Sequence, residues 1–367
     1  MPDRDAEFMR QALDLAARGQ GHVEPNPMVG ALLVKDGQIV GQGWHRTFGG
    51  PHAEVEAFRD ADAAARDATL YVTLEPCCHH GKTPPCTEAI LAAGVRRVVV
   101  ALEDPFAQVA GRGIEQLRQQ GVDVAVGCLR DEAESLCTPY LKLRRTGRPW
   151  VIAKWAMSLD GKIATHTGES QWISNEASRA IVHQIRGRMD AILVGRGTVE
   201  ADDPLLTARP PGARIATRIV LDSQATLSPV SRLVKSAGDA PVLVAVGPNA
   251  DPQRCQSLIN AGCEVLACPG ATPAERLDFL LADLGRREMT NLLVEGGAAL
   301  LGSFFDGQHV DELHVFIAPK ILGGRAAAGP VGGEGVAQMA ESLRLENPSV
   351  RVIDGDTYIA ARCRRNT

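Results

Sequence analysis

The chain has 367 residues, more than a single hydrophobic core usually serves, so we expect two domains that each bury a core of their own. Its formal net charge of -5 excludes a general polyanion binder, because such proteins need a basic surface to displace counterions, and we expect no nucleic-acid partner. The nine cysteines are too sparse for a disulfide scaffold and no apolar run is long enough to span a membrane, so we expect a cytoplasmic protein without a membrane partner.

Helix-like and strand-like stretches alternate through the first part of the chain. The pattern predicts a helix that ends before Gly19 and then a hairpin whose strands, 28–34 and 38–44, are joined by Asp36-Gly37, a dipeptide typical of tight turns. Later elements are strands at 69–74, 95–102 and 122–127 and helices that begin near residues 51, 87 and 111. This alternation predicts a sheet covered by helices.

A polar, basic and turn-prone segment, 144–149, follows a helical stretch that begins near Arg130. We place the domain boundary there, with one domain over 1–146 and the other over 147–367. Strand-like runs in the second part lie at 150–157, 191–195, 218–222, 242–246, 264–268, 292–295 and 312–318. They indicate a second α/β domain, in which the glycine-rich stretch 323–335 is expected to be a loop.

Potential zinc ligands stand at the ends of predicted elements in the first domain. His52 opens a helix with Glu54 two residues later, and Cys77 and Cys86 follow the strand at 69–74. Catalytic zinc sites use three protein ligands and leave the fourth tetrahedral position to a water molecule, which becomes hydroxide near neutral pH. The pattern predicts Zn²⁺ held by His52, Cys77 and Cys86. Glu54 is then the general acid and base that passes protons to a leaving amine, as in zinc nucleobase deaminases.

Eight residues separate the two cysteines, where zinc nucleobase deaminases usually have two. This insertion, 78–85, places further histidines and Lys82 beside the predicted metal. Cys78 is expected to be a free neighbour, because a fourth protein ligand would close the open position.

Other interpretations of this pattern are a structural zinc protein and an RNA-editing deaminase. Structural sites usually have four protein ligands and no free carboxylate beside them, and an RNA enzyme needs a basic surface, so the chain matches neither class. Taken singly, His52 would be a helix-start residue and each cysteine a small core residue. The four residue types in this order favour the deaminase.

Three stretches of the first domain resemble the family of bifunctional riboflavin-biosynthesis deaminase/reductases: Pro25–Gly30, His52–Glu54 and Thr73–Cys86. The resemblance implies a cytidine-deaminase-like three-layer α/β sandwich. It further implies deamination of 2,5-diamino-6-(5-phosphoribosylamino)pyrimidin-4-one. Carried over to this chain, it implies that the pyrimidine or its phosphoribosyl arm is contacted by Asn26, His45, His79, Lys82 and Asp104.

The chain departs from this family at residues 104–107. The family usually has Asp-Pro-Asn-Pro before a Val-Ala-Gly run, whereas this chain has Asp104-Pro105-Phe106-Ala107. The aspartate is kept, but Phe106 stands in place of the asparagine. The polar contact of that asparagine is therefore not expected at this edge of the pocket.

The second domain resembles the reductase domain of the same family in the stretches 153–164, 168–174, 190–207 and 293–297. The resemblance implies a dihydrofolate-reductase-like α/β domain that uses NADPH to open the ribosyl ring to a ribityl chain. It implies that NADPH is bound by Ala156, Trp172, Thr198, Asp202 and the turn from Gly297 to Ser303. It implies that the substrate is bound by Lys154, Ser170, Arg186, Leu206, Arg209 and Glu295.

Taken by themselves, the residues of the second domain carry a weaker signal. Gly195-Arg196-Gly197 lacks the third glycine of a dinucleotide fingerprint, whereas Gly296-Gly297 between a strand and a helix can admit a phosphate to backbone N–H groups. The guanidinium groups of Arg186 and Arg209 suit a terminal phosphate. The proton donor in the reduction stays open between Lys154, Asp202 and water.

One alternative is a monofunctional deaminase whose second domain is not catalytic, and NADPH binding separates it from the bifunctional enzyme. The family resemblance also suggests a homodimer or a larger homo-oligomer.

Overall fold

The computed structural model describes residues 2–80, 84–106 and 109–364. Contacts divide the chain into two compact units, residues 1–147 and 148–367, and each unit has its own sheet. None of the helices in the described ranges is long and apolar enough to cross a membrane.

The first unit alternates helices and strands, as the sequence pattern predicts. In chain order, its described elements are α1 Pro2–Ala17, β1 Gly30–Lys35, β2 Gln38–Trp44, α2 Ala53–Ala61, a 3-10 helix at Asp62–Ala65, β3 Thr69–Val72, α3 Cys86–Ala93, β4 Arg97–Val100, α4 Arg112–Gln119, β5 Asp123–Val126 and α5 Arg130–Thr146. The sheet order is β2-β1-β3-β4-β5. Strand β1 is antiparallel to β2 and β3, whereas β3, β4 and β5 are parallel. The predicted hairpin over Asp36-Gly37 is confirmed.

Helices cover both faces of this sheet because neighbouring residues of a strand point to opposite faces. Leu33 of β1 is buried in one cluster with Leu117 of α4. The next residue, Val34, is buried in a different cluster with Met9 of α1. The first unit is therefore a three-layer α/β sandwich, and the predicted fold class is confirmed.

The topology places the chemically important residues at one edge of the sheet. Parallel β3 and β4 end at the same edge, which is where ligand sites form in α/β sheets. Cys77 follows β3, Cys86 begins α3, and His52 is the residue that precedes α2.

The second unit is also an α/β unit. In chain order, its described elements are β6 Trp150–Ser158, α6 Glu176–Arg186, β7 Ala191–Gly195, α7 Arg196–Asp202, β8 Thr217–Leu221, α8 Arg232–Lys235, β9 Val242–Val246, α9 Pro252–Asn260, β10 Glu264–Ala267, α10 Pro273–Arg286, β11 Asn291–Glu295, α11 Ala298–Asp306, β12 Glu312–Ala318, a 3-10 helix at Met339–Glu341, β13 Arg344–Ile353 and β14 Asp356–Arg364.

The sheet of the second unit has the order β10-β9-β8-β7-β11-β6-β12-β14-β13. The strands from β10 to β12 in that order are parallel, and β14 and β13 extend the sheet as an antiparallel hairpin. Strand β7 is buried on both faces: Ile192 packs in one core cluster and Leu193 in another. Strands β7, β11 and β6 are neighbours near the middle of the sheet, so their ends lie side by side.

One sequence-based prediction needs correction, and one pair of strands was missed. The turn-prone segment at 144–149 is helical as far as Thr146, because α5 continues to that residue and ends at Gly147 in the left-handed conformation. The hairpin of β13 and β14 was not predicted. Strand β13 is exposed along nearly its whole length and carries a register shift between Glu346 and Ser349, so it lacks the buried alternation of a typical strand.

Candidate active sites

Three potential metal ligands meet at the edge of the first sheet. The ligand atoms of His52, Cys77 and Cys86 lie within 4.8 Å of one another. His52 presents Nδ1, which is 3.1 Å from the sulfur of Cys86 and 3.6 Å from that of Cys77. One nitrogen and two sulfur donors at this spacing suit a tetrahedral zinc ion with one open position, so the residues present fit the metal.

Local backbone geometry helps to stabilise the sulfur of Cys77 as an anion. The Cys86 backbone N–H donates to the Cys77 sulfur at 3.3 Å, because Cys86 lies at the start of α3 where backbone donors are not used by the helix. The hydrogen bond from the Cys86 thiol, together with others from His52 and this N–H, lowers the pKa of Cys77 to about 4 against the opposing effect of burial. A thiolate is the form that binds zinc.

Glu54 lies in the first turn of α2, two residues after His52, and lines the same cavity of about 280 Å³. Its side chain is buried, and burial raises the pKa of this carboxyl although the charge of His52 opposes the rise. A carboxyl in such a place can accept and return a proton near neutral pH.

Asn26 and His45 form a hydrogen-bonded pair in the wall of this cavity. The His45 Nδ1 is 2.9 Å from the carbonyl oxygen of Pro51, which can only accept, so Nδ1 carries the ring proton. Burial lowers the pKa of His45 and favours this neutral ring. Nε2 therefore accepts from the Asn26 side-chain amide at 3.1 Å. This hydrogen bond fixes the orientation of the Asn26 amide, because its nitrogen and not its oxygen faces His45.

Asp104 belongs to the same cavity and is held by two donors. The Tyr140 hydroxyl donates to its two carboxylate oxygens at 3.0 and 3.2 Å, and the Phe106 backbone N–H donates at 2.9 Å. Burial raises the pKa of Tyr140, so this hydroxyl keeps its proton and remains a donor. The position of Asp104 is thus set by a residue of α5, far away in the sequence.

Glu75 supports the loop that carries Asp104 and Phe106. Its buried carboxylate accepts from four backbone N–H groups, those of Asp104, Gly111, Gly113 and Ile114, at 2.9 to 3.3 Å. A carboxylate can accept this many bonds because it has two oxygens and no proton to donate. Glu75 therefore ties the end of β3 to the start of α4.

Most of the deaminase residues named from the sequence share this first cavity. Its walls include Asn26, His45, His52, Glu54, Cys77, His79 and Asp104. Lys82 lies outside the described residues. Sequence reasoning missed Tyr140 and Arg144, which also line the cavity and stand four residues apart on one face of α5.

The second unit contains a larger cavity, of about 830 Å³, at the ends of β6, β7 and β11. A buried carboxylate, Glu295, accepts from Arg186 Nε at 2.6 Å and from Lys154 Nζ at 3.4 Å. Although burial alone would raise it, the pKa of Glu295 is held at about 2 by these two cations. Burial lowers the pKa of Lys154, and the charge of Glu295 counteracts this effect.

Two side chains of α6 contact the loop of Leu206 and Thr207, which borders this cavity. The carbonyl oxygen of Thr207 lies 3.2 Å from His183 Nδ1 and 3.4 Å from Arg186 Nη1. The preceding residue, Leu206, has a φ of 55°, a conformation that side-chain-bearing residues rarely adopt. Its side chain is buried in the core, so Leu206 borders the cavity mainly through its backbone.

The family resemblance assigns Ser170 to the substrate and Asp202 to NADPH. In the structure the Ser170 hydroxyl donates a hydrogen bond to the Asp202 carboxylate at 2.6 Å. Trp172, 62% exposed, lies at the cavity with the Arg179 guanidinium 4.6 Å from its ring. Of the residues named for the reductase, the walls include Lys154, Ala156, Ser170, Trp172, Arg186, Thr198, Asp202, Leu206, Arg209, Glu295 and Gly297. Ser303 is not a lining residue, because it lies on the exposed side of α11 and donates to the Ala299 carbonyl.

Sequence reasoning also missed Arg179 and His183 in this cavity. With Arg186 they follow the spacing of one helix face, at i, i+4 and i+7 along α6, and that periodicity is the signal that could have identified them.

Family models match both parts of the chain. The cytidine and deoxycytidylate deaminase zinc-binding region matches residues 2–102, and the RibD C-terminal domain matches residues 149–359. The riboflavin biosynthesis protein RibD of Actinobacillus pleuropneumoniae is 42% identical over 355 residues, which are 97% of this chain and 94% of the relative. The RibD of Escherichia coli (strain K12) is 40% identical over 370 residues, covering 97% and 98%.

Solved structures are similar over the whole length. Acinetobacter baumannii RibD superposes with a TM-score of 0.88 at 36% identity and covers 100% of both chains. A diaminohydroxyphosphoribosylaminopyrimidine deaminase/5-amino-6-(5-phosphoribosylamino)uracil reductase from Thermotoga maritima gives a TM-score of 0.84 at 35% identity and covers 99% of both chains.

Proposed function

The chain belongs to the RibD family of riboflavin-biosynthesis proteins, and we propose how its residues divide the two reactions of a bifunctional deaminase/reductase. The predicted family, the two enzyme classes and the zinc and NADPH cofactors are confirmed. A second domain without catalysis is not favoured, because a reductase-domain model matches nearly all of it. We assign deamination to residues 1–146 and reduction to residues 147–367.

We propose that the first substrate is 2,5-diamino-6-(5-phosphoribosylamino)pyrimidin-4-one, the type of compound named for the Thermotoga maritima relative. Water replaces the ring amino group, and the products are ammonia and the corresponding pyrimidinedione. Zinc held by His52, Cys77 and Cys86 supplies Lewis acidity that lowers the pKa of the attacking water. Glu54 accepts the proton of this water and passes it to the departing amine.

Other residues of the first cavity bind and orient the substrate in this proposal. The fixed amide of Asn26, backed by His45, accepts from a ring N–H, and Asp104 accepts from a hydroxyl or N–H of the same ligand. His79 and Lys82 contact the phosphoribosyl arm. The observation that carries the deaminase assignment is the buried Glu54 beside three converging zinc ligands.

We propose that the second cavity reduces the ribosyl group of the deaminated product to a ribityl chain. NADPH supplies the hydride for this step. The charged cluster of Lys154, Arg186 and Glu295 orients the sugar, and Arg209 at the cavity margin binds its terminal phosphate together with Arg186. Ser170 contacts the substrate and Leu206 borders it through its backbone.

The cofactor side of this cavity is assigned to Ala156, Trp172, Thr198, Asp202 and the start of α11 from Gly297 to Leu300. The hydrogen bond between Ser170 and Asp202 connects the two groups of residues. A volume of about 830 Å³ lies near the upper end of the range for small-molecule sites and suits a cofactor and a substrate bound together.

A coupled assay tests both assignments. Zinc-loaded enzyme receives freshly made diaminopyrimidine with or without NADPH, and ammonia release and NADPH absorbance are followed together. Ammonia in both samples with NADPH loss in one supports two activities in this order. Ammonia without NADPH loss would contradict the reductase assignment, and the absence of ammonia would contradict the deaminase assignment.

We also propose that the enzyme is a cytoplasmic homo-oligomer that works without a nucleic-acid partner, for which the net charge of -5 is a supporting observation. Light scattering coupled to size exclusion gives the oligomeric state. Elution at the monomer mass would contradict this part of the proposal.

A further inference from the structure

A basic side chain that neither the sequence pattern nor the family resemblance identified lies in the deaminase cavity. Arg144, on the last turn of α5, lines this cavity. Among the described residues of its walls it is the only arginine or lysine. A guanidinium in a concave site is a typical binding group for a phosphate monoester, because its N–H donors form a planar fork.

Two aromatic rings hold Arg144 in place. Its guanidinium carbon is 5.4 Å from the centroid of Phe106 and also 5.4 Å from that of Tyr140. A guanidinium stacked on a ring has its face covered, whereas its N–H edge can still donate to an anion. Because the two rings already restrict the Arg144 side chain, it loses less conformational entropy when a ligand binds.

Phe106 leaves this edge of the cavity without the polar side chain that the family usually has there. The phenyl ring stands where the family usually has an asparagine, and it cannot donate a hydrogen bond. It packs between two basic side chains, because the His79 ring lies 5.9 Å away and the Arg144 guanidinium also contacts it. Arg144 and His79 thus approach the same part of the cavity.

Two carboxylates, those of Asp104 and Glu75, also line this cavity. Asp104 accepts from Tyr140 and from the Phe106 backbone, and Glu75 accepts from four backbone N–H groups. These bonds hold both carboxylates in the wall of the cavity that Arg144 also lines.

We propose that Arg144 binds the phosphate of the phosphoribosyl arm in the deaminase site and that Phe106 is the platform that positions it. Arg144 is therefore a specificity residue that distinguishes the phosphorylated substrate from its dephosphorylated form. This inference rests on the proposed deaminase substrate.

The test compares steady-state deamination of two compounds, the phosphoribosylaminopyrimidine and the same compound without its phosphate. For Arg144→Met in the full zinc-loaded chain, we expect the KM of the phosphorylated compound to rise by about 10- to 100-fold, the range for loss of hydrogen bonds to a charged group. Its kcat should change by less than about threefold, and the KM of the dephosphorylated compound should stay the same. Arg144→Lys should recover part of the loss.

Arg145→Met is the matched control, because Arg145 is exposed and pairs with Glu134 at the surface. Zinc content and NADPH consumption on the deaminated intermediate report that each variant is folded. Inorganic phosphate, as a competitive inhibitor of deamination, should lose affinity in Arg144→Met by a similar factor. Equal changes in KM for both compounds, or no change for either, would overturn the inference. A wild-type enzyme that releases no ammonia would instead contradict the proposed function.

Discussion

Arg186 donates hydrogen bonds to both carboxylate oxygens of Glu295, through Nε at 2.6 Å and through Nη2 at 2.9 Å. Lys154 adds a second cation at 3.4 Å from the same carboxylate. All three side chains are largely buried, and they lie on β6, α6 and β11 at the centre of the second unit. The cluster therefore stabilises the fold and, in our proposal, forms the floor of the reductase site.

Removing the anion of this cluster should abolish reduction and leave deamination intact. Glu295→Gln keeps the shape of the side chain but leaves two buried cations without their counter-ion, which costs about 3–5 kcal/mol in comparable buried pairs. We expect ammonia release to persist while NADPH consumption is lost and thermal unfolding of the second unit moves to lower temperature. Normal reduction in Glu295→Gln would show that the cluster is not part of the site.

The same cluster predicts a pH dependence of stability. The folded chain holds the pKa of Glu295 at about 2, below its ordinary value of 4.5. A lowered pKa contributes stability that is fully present above the ordinary value and is lost as the pH falls towards the folded value. The stability difference between wild type and Glu295→Gln should stay constant above about pH 5 and shrink from there to about pH 2. Calorimetry across this range measures it, and a difference that grows on acidification would contradict the assignment.

Glu54→Gln separates metal binding from proton transfer in the first unit. The carboxyl is not a ligand in our assignment, so zinc content should equal that of wild type while ammonia release falls by about 10²- to 10⁴-fold, the usual contribution of a general acid or base. Cys86→Ser is the contrasting variant, because it should lose zinc as well. Elemental analysis of both proteins is the measurement. Loss of zinc from Glu54→Gln would identify Glu54 as a ligand instead.

The residues that sequence reasoning identified stand in short local patterns, whereas those it missed depend on packing. His52, Cys77 and Cys86 follow element ends whose positions the hydrophobic pattern predicts, and parallel strands bring such ends together. Tyr140 and Arg144 reach the cavity only because α5 packs beside α1 against the sheet. The last turn of that helix is polar and precedes Gly147, so its local composition indicated a linker.

In the second unit, burial along a strand decides whether the sequence pattern predicts it. Strands β7, β9 and β12 were predicted to the residue because each contains four or five consecutive buried residues. Strand β13 carries no such run, and its pairing with β14 depends on backbone hydrogen bonds that composition does not reveal.

Trp172 should report cofactor binding. Its ring is 62% exposed beside the second cavity, so a nicotinamide cofactor bound there would cover it and change its fluorescence. Titration with NADPH should quench the emission of wild type, and Trp172→Phe should lose part of this quenching, because Trp155 also lines the cavity. Trp44→Phe is the control, since Trp44 lies in the first unit under the guanidinium of Arg46. Quenching that survives in Trp172→Phe and disappears in Trp44→Phe would place the cofactor elsewhere.

Glu75 is expected to act on the deaminase through the backbone that it holds. In Glu75→Gln the carboxylate that accepts from Asp104, Gly111, Gly113 and Ile114 becomes a neutral amide with one acceptor oxygen, so some of these N–H groups lose their partner. The loss of hydrogen bonds to a charged acceptor should cost about 1.5–3 kcal/mol and loosen the loop that positions Asp104. Amide hydrogen exchange at 111–114 should accelerate, and the KM for deamination should rise with zinc content unchanged. Glu103→Gln, a change at an exposed neighbour, should alter neither quantity. Unchanged exchange in Glu75→Gln would mean that the loop is held by its other contacts.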